Sequence, residues 1–134
     1  MQVVTLEFDG DERFQALRRE LGATSLGINL IRLLPRQRGR IHRHERQEEI
    51  YVVLDGMLTL YVEGEPHQVG RGQAVRVAPE ERRQLVNESS ERLVLLALGA
   101  DGDHPGRDGE AFESWDDDQG RPPQEVPLPD DLPG

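Results

Sequence analysis

The sequence of 134 residues contains no cysteine and no lysine. Without cysteine there is no disulfide, no thiolate metal site and no thiol redox chemistry. Without lysine there is no Schiff-base chemistry, and all 16 cations are arginine. Aromatic residues make up 4 % of the chain and apolar residues 35 %, a lean supply for a core. A sheet closed on itself can still bury enough. No apolar run reaches the length of a membrane span, and no basic stretch followed by an apolar one stands at the N-terminus. Met1-Gln-Val-Val-Thr-Leu6 reads as the beginning of the fold. The expectation is a cytoplasmic protein with no membrane partner, and its length suits one domain.

The net charge of −10 is unevenly spread. Residues 1–100 carry 15 acids against 14 arginines, whereas residues 101–134 carry 11 acids against 2. The body is thus nearly neutral and the acidity lies in the tail. Such a balance argues against nucleic acid as a partner, because phosphate neutralisation needs clustered cations. Arg36, Arg38, Arg40, Arg43 and Arg46 do form a basic run, but no aromatic residues interleave it as a stacking platform requires. The run is better matched to the acidic tail, within one chain or across a homodimer.

Three textures follow one another. From Asp11 to Leu21, the apolar residues Phe14, Leu17 and Leu21 are spaced by three and four, which predicts one short amphipathic helix. Asp9 or Asp11 could cap its start, and Gly22 follows its end. From Thr24 to Leu98 short apolar or alternating runs alternate with turn residues, the pattern of an all-β domain. The expected strands are Ser25–Leu34, Arg40–His44, Glu49–Leu54, Met57–Val62, Pro66–Val69, Ala74–Val77, Arg83–Asn87 and Arg92–Leu98. Asp55-Gly56 and Glu63-Gly64 read as hairpin turns. The segment 99–134 holds six of the nine prolines and Asp116-Asp117-Asp118, and is expected to be largely irregular. Its Phe112 and Trp115 suggest docking on the barrel or on a neighbouring subunit, with Asp116–Asp118 meeting arginines. His104 reads as solvated.

His42 and His44 stand at i and i+2 in an expected strand, so both project from one face. Glu49 opens the next strand, which as an antiparallel neighbour could bring its carboxylate to the same place. Two imidazoles and a carboxylate suit Fe, Mn, Zn, Ni or Cu. An isolated His-x-His beside an acid is more commonly a pair of solvated strand histidines.

Here the spacing adds information. His42-x-His44, Glu49 after four residues and Gly56 after six more, with Pro35 ahead, resembles the first motif of the cupin superfamily. The second motif is matched in outline by Gly72 and Asn87, with Pro79 one residue late and Glu80 at its second glycine. Arg83 stands at its histidine position. The resemblance spans about residues 25–98 and implies the double-stranded β-helix, or jelly-roll, barrel. The chain then divides into a cupin barrel with a short N-terminal helix (1–100) and an acidic, Pro/Asp-rich tail (101–134). It also implies His42, His44 and Glu49 as metal ligands and a small molecule bound in the barrel. The family's fourth ligand is lost, because a guanidinium is permanently charged and has no acceptor.

That departure leaves two readings. In one, a divalent metal sits on His42, His44 and Glu49, and Arg83 clamps an anionic substrate beside it. An enzyme of this kind would be of the oxygenase or isomerase type. In the other, Arg83 pairs with Glu49 in place of metal, and the protein is a metal-free binding or sensing module. Glu49, Tyr51 and Arg83 are the candidates for a catalytic role, and Arg83, Tyr51 and His67 for contact with substrate. A purely structural barrel is the third possibility, disfavoured because buried histidines and a glutamate are costly without a purpose.

Overall fold

The computed structural model describes residues 1–100 and 108–133. Its elements in chain order are β1 Phe14–Gln15, α1 Leu17–Leu21, β2 Leu26–Leu33, β3 Ile41–His44, β4 Glu49–Asp55 and β5 Met57–Val62. They continue with β6 Glu65–Gly70, β7 Ala74–Val77, β8 Arg83–Val86, β9 Leu93–Ala100, β10 Gly109–Phe112 and a 3-10 turn at Pro123–Glu125. His104 lies outside the described residues.

The strands form two antiparallel five-stranded sheets, ordered β1-β2-β9-β4-β7 and β10-β3-β8-β5-β6. Strict alternation decides what lies between them. On β4, Tyr51 and Val53 are buried while Ile50 is exposed, and on β9, Leu93 and Leu95 point inward. They pack with Leu58, Leu60 and Leu85 from the facing sheet and with Val77 of β7, the strand beside β4. Each such side chain contributes about 1.5–3 kcal/mol by leaving water. A second, smaller core lies outside the first sheet, where Leu17 packs on Leu30 and Val94 and is covered by Val4 and Phe8.

Glu63 and Gly64 both take positive φ and close the two-residue hairpin between β5 and β6, as their turn chemistry predicts. Asp55-Gly56 behaves differently. β4 and β5 belong to different sheets, so this turn is a crossover rather than a hairpin. Gly56 is required there, since a Cβ would lie 2.5 Å from the Arg92 carbonyl oxygen.

The expected helix over Asp11–Leu21 is reduced to Leu17–Leu21. Phe14 and Gln15 instead pair with Ile31 and Leu30, where sheet hydrogen bonds outweigh one amphipathic turn. Its N-cap is Ala16, without a side-chain cap, and neither aspartate serves. Gly22 does end the helix in the left-handed conformation.

The tail is irregular over much of its described length, yet it folds back on its own barrel. β10 extends the second sheet against β3, and the outward Phe112 is 3 % exposed. The guanidinium carbons of Arg43 and Arg82 lie 5.3 and 5.4 Å from its ring centroid. Farther on, the chain crosses the arginine run through backbone carbonyls. Arg40 Nε donates to Val126 (2.6 Å), Arg38 Nε to Asp130 (2.7 Å) and Arg36 to Pro133. Asp117 caps its own turn through the amides of Glu113 and Gln119 rather than meeting an arginine carboxylate-first. No helix of the described residues is long and apolar enough to cross a membrane.

Candidate metal centre

The two-residue period of β3 turns His42 and His44 to the inside and Ile41 and Arg43 to the outside, where Arg43 meets Glu110 at 2.9 Å. Glu49 reaches the histidines from the opposite side of the barrel. β3 and β4 are not paired neighbours; they lie in facing sheets. Arg83 on β8 is in register with His42, so its side chain also points inward.

These groups converge on one atom, Glu49 Oε1. Nε2 of His42 lies 3.2 Å from it and Nε2 of His44 3.3 Å. The Tyr51 hydroxyl donates to it at 2.7 Å, and Arg83 donates through Nη2 at 3.0 Å and Nε at 3.2 Å. The ligand atoms of His42, His44 and Glu49 all lie within 4.8 Å of one another.

The outer nitrogens fix which tautomers are possible. His42 Nδ1 is 3.2 Å from the Arg40 carbonyl oxygen, and His44 Nδ1 is 2.8 Å from Asp108 Oδ1. Both partners are acceptors, so each Nδ1 carries the proton. In a neutral ring the Nε2 lone pair then faces the centre, where it meets a carboxylate oxygen. His44 Nε2 is buried and has no hydrogen bond, because its approach to Glu49 is out of line. Such an arrangement needs a cation at Nε2, either a proton or a metal ion. A histidine with a carboxylate on its far nitrogen and a free inner nitrogen is the usual support of a metal ligand. The donor set therefore fits a divalent ion.

Charge reinforces the geometry. Burial works to raise Glu49, but the two histidines outweigh it and hold the carboxyl well below its ordinary range, so it is ionised. Burial would lower His44, yet Glu49 and Asp108 outweigh it and raise the ring, with Arg83 opposing. Burial and the Glu49 charge push Tyr51 well above its ordinary value, which keeps its hydroxyl a donor. For Asp108 burial is outweighed by the amides of Arg46 and Gln47 and by His44, which bring it down to about 2.

Arg83 is 0 % exposed and most of its donors are committed. Besides Glu49, its Nη1 reaches the carbonyls of Glu81 (2.6 Å), Pro79 (3.1 Å) and Ala78 (3.4 Å). It thereby ties the β7–β8 turn to the centre. His67 is exposed on the edge strand β6, opposite Leu60, and takes no part in the cluster. β6 pairs with β5 at the margin of its sheet, and His67 lines a separate groove with Leu60, Val62 and Val75, away from the cluster.

A cavity of about 230 Å³ opens beside the cluster. His42, Glu49 and Tyr51 form its polar end, Ile31, Leu33 and Leu85 its apolar wall, and the tail adds Pro123 and Leu128. Arg83 does not line it, whereas Arg13 and Arg40 do. Sequence patterning missed Asp108, Arg13 and Arg40 as members of the site. Asp108 carried no signal at all, being 64 positions from His44 in a segment without periodicity.

A profile of the family described as Cupin domain matches residues 29–99. Among solved structures, the chain is similar to a sugar phosphate isomerase from a cupin superfamily of Silicibacter pomeroyi. The two share 27 % identity with a TM-score of 0.61, over 65 % of this chain and 57 % of that one. This chain thus spans less than two thirds of that protein's length. A Cupin 2 conserved barrel domain protein from Salinispora arenicola shares the fold at 22 % identity and TM-score 0.64, over 75 % of this chain and 89 % of that one. A cupin protein from Bacteroides fragilis does so at 20 % identity and TM-score 0.63, over 79 % and 91 %. No curated protein sequence matches.

Proposed function

The chain belongs to the cupin family, and we propose that it holds one divalent ion of the Fe, Mn, Ni, Cu or Zn group on His42, His44 and Glu49 and binds a small anionic molecule in the adjoining cavity. The observation that carries this reading is the buried His44 Nε2, without a hydrogen bond, on a ring whose other nitrogen is held by Asp108.

A bound ion would supply Lewis acidity to an oxygen of the ligand. The protein's own groups supply the rest. The Arg40 carbonyl and Asp108 hold the protons of His42 and His44 on Nδ1 and so keep both Nε2 lone pairs inward. Arg83 and Tyr51 fix the Glu49 carboxylate. The apolar wall of the cavity thins the water around the polar end and strengthens electrostatic interactions there. The likeness to a sugar phosphate isomerase supports isomerase-type chemistry on an oxygenated substrate. A homodimer through the outer face of the first sheet, where Leu26 and Ile50 are exposed, completes the reading; light scattering at twice the chain mass is the expected result.

The test is thermal unfolding of chelator-treated protein with each ion added in turn. At least one ion should raise the melting temperature of the wild type and leave His42→Ala/His44→Ala unmoved. Equal responses in the two proteins would contradict the reading.

A second reading is favoured by one observation, the buried Arg83–Glu49 pair at 3.0 Å. In it Arg83 takes the place of metal, a protonated His44 answers Asp108, and the cavity serves a metal-free binding or sensing role. Wild-type protein that responds to no ion but is stabilised by small anions would establish it.

A further inference from the structure

Two arginines line the cavity, Arg13 and Arg40, and neither has a carboxylate within ion-pair distance among the described residues. Each is anchored by a single nitrogen to a backbone carbonyl. Arg13 Nη1 donates to Arg38 at 3.0 Å and Arg40 Nε to Val126 at 2.6 Å. The remaining nitrogens of both guanidinia are unspent, and both side chains are half-buried. A guanidinium offers five N–H donors in a planar fork, so most of the donor capacity of each is available. Burial makes Arg13 easier to deprotonate, Asp131 of the tail opposes this, and Arg40 adds a smaller push in the direction of burial.

Two unpaired like charges beside an apolar wall repel one another and gain from a shared anion. Among the described residues the one carboxylate lining the cavity is Glu49, already engaged by Tyr51 and Arg83. We infer that Arg13 and Arg40 form the anion subsite of this cavity and that its ligand is a small phosphate monoester. The ligand's phosphate lies between the two guanidinia, and its carbon skeleton runs along Ile31 and Leu33 toward His42, Glu49 and Tyr51.

Charge and size choose this class. A phosphate monoester carries about −1.5 to −2 at pH 7 and answers both cations, whereas a monocarboxylate answers one. A volume of about 230 Å³ corresponds to roughly eight water molecules, at about 30 Å³ each. That leaves room for a three- to six-carbon phosphate. The fully buried Arg83, turned to Glu49 and to the Ala78, Pro79 and Glu81 carbonyls, is a positioning residue. This inference rests on the cavity being the ligand site, but not on metal.

The experiment is ligand-observed NMR and calorimetry on the full chain with glycerol 3-phosphate, glycerate, glycerol and inorganic phosphate, repeated with glucose 6-phosphate against glucose. Metal content is read in the same samples. In the wild type, at least one monoester should bind ten times or more tightly than its neutral parent, and glycerol 3-phosphate more tightly than glycerate. Inorganic phosphate should compete. Arg13→Gln and Arg40→Gln should each lose at least tenfold for the phosphate while retaining the wild-type metal content. Arg13→Lys and Arg40→Lys should recover part of the loss. Preference for neither monoester over its neutral parent in the wild type overturns the subsite whether or not the variants fold. Glycerate binding as tightly as glycerol 3-phosphate overturns the phosphate assignment. Arginine-dependent phosphate binding in a protein that takes up no ion sustains the subsite and overturns the metal centre instead.

Discussion

His44 on β3 donates from Nδ1 to Asp108 Oδ1 at 2.8 Å, so a residue of the tail orients a ring on the inner face of the barrel. The Arg46 and Gln47 amides hold the other oxygen of that carboxylate at 2.7 and 3.0 Å, which leaves it little freedom. Replacing such a support costs about 10–100-fold in metal affinity. Asp108→Ala should show a loss in that range by chelator-competition titration. Asp108→Asn, which can still accept from Nδ1, should lose less. Unchanged affinity in the alanine variant would mean that His44 is held by its packing alone.

Arg83 gives a second prediction. Removing one partner of a buried ion pair strands the other, at a cost of about 3–5 kcal/mol. Arg83→Met should therefore destabilise the apo protein by about 3 kcal/mol in denaturant unfolding. Arg83→His should instead tighten metal binding, because a neutral nitrogen replaces a cation in register with His42. Weaker binding in the histidine variant would show that the β8 position does not face the ion.

The pH dependence of stability has two limbs of opposite sign. Asp108 falls from 3.8 to about 2 on folding, so its contribution is present above pH 3.8 and fades as pH falls toward 2. Glu49, also lowered, acts in the same direction. His44 is raised above 6.5, so its contribution is complete below pH 6.5 and fades as pH rises through the folded value. Apo protein should melt highest between about pH 4 and 6.5, and His44→Gln should flatten the alkaline limb. Saturating metal should reverse that limb, because the ion competes with the proton for Nε2. An apo melting curve that rises from pH 6 to 8 would contradict the raised His44.

The docked tail is tested through its anchor. Phe112 is almost fully buried between Arg43 and Arg82, and truncating a buried phenylalanine costs about 3–5 kcal/mol. Phe112→Ala should lower the melting temperature by about 10 °C or more and loosen metal binding through Asp108. A change in oligomeric state alone, with the monomer's stability kept, would place the contact between subunits.

The barrel was legible because period-two alternation and turn chemistry act locally, and because His42, His44, Glu49 and Gly56 keep a distinctive spacing. The Arg83–Glu49 contact was legible as one of two readings for the same reason. Phe14 and Gln15 were misread as helix, since three apolar residues at helical spacing say nothing of a free strand edge on β2. Glu49 was expected beside β3 and comes from the facing sheet, because side-chain direction is local whereas sheet membership is not. Asp108 and Arg13 were out of reach, since each enters the site through chain reversals whose partners lie far away in sequence. Arg40 did carry a signal, because period-two alternation puts it on the face of His42 and His44, but it was read as part of a basic run for the tail. His67 shows the converse, a histidine in a strand that the sheet order leaves at an exposed edge.

The most direct measurement is elemental analysis of the full chain purified without an affinity tag, beside His42→Ala/His44→Ala prepared in the same way. Near-stoichiometric Fe, Mn, Ni, Cu or Zn in the wild type, absent from the double variant, is the expected result. Wild-type protein that is metal-free as purified, and stays so after incubation with each of these ions, would contradict the metal centre and leave Arg83 as the cation that Glu49 binds.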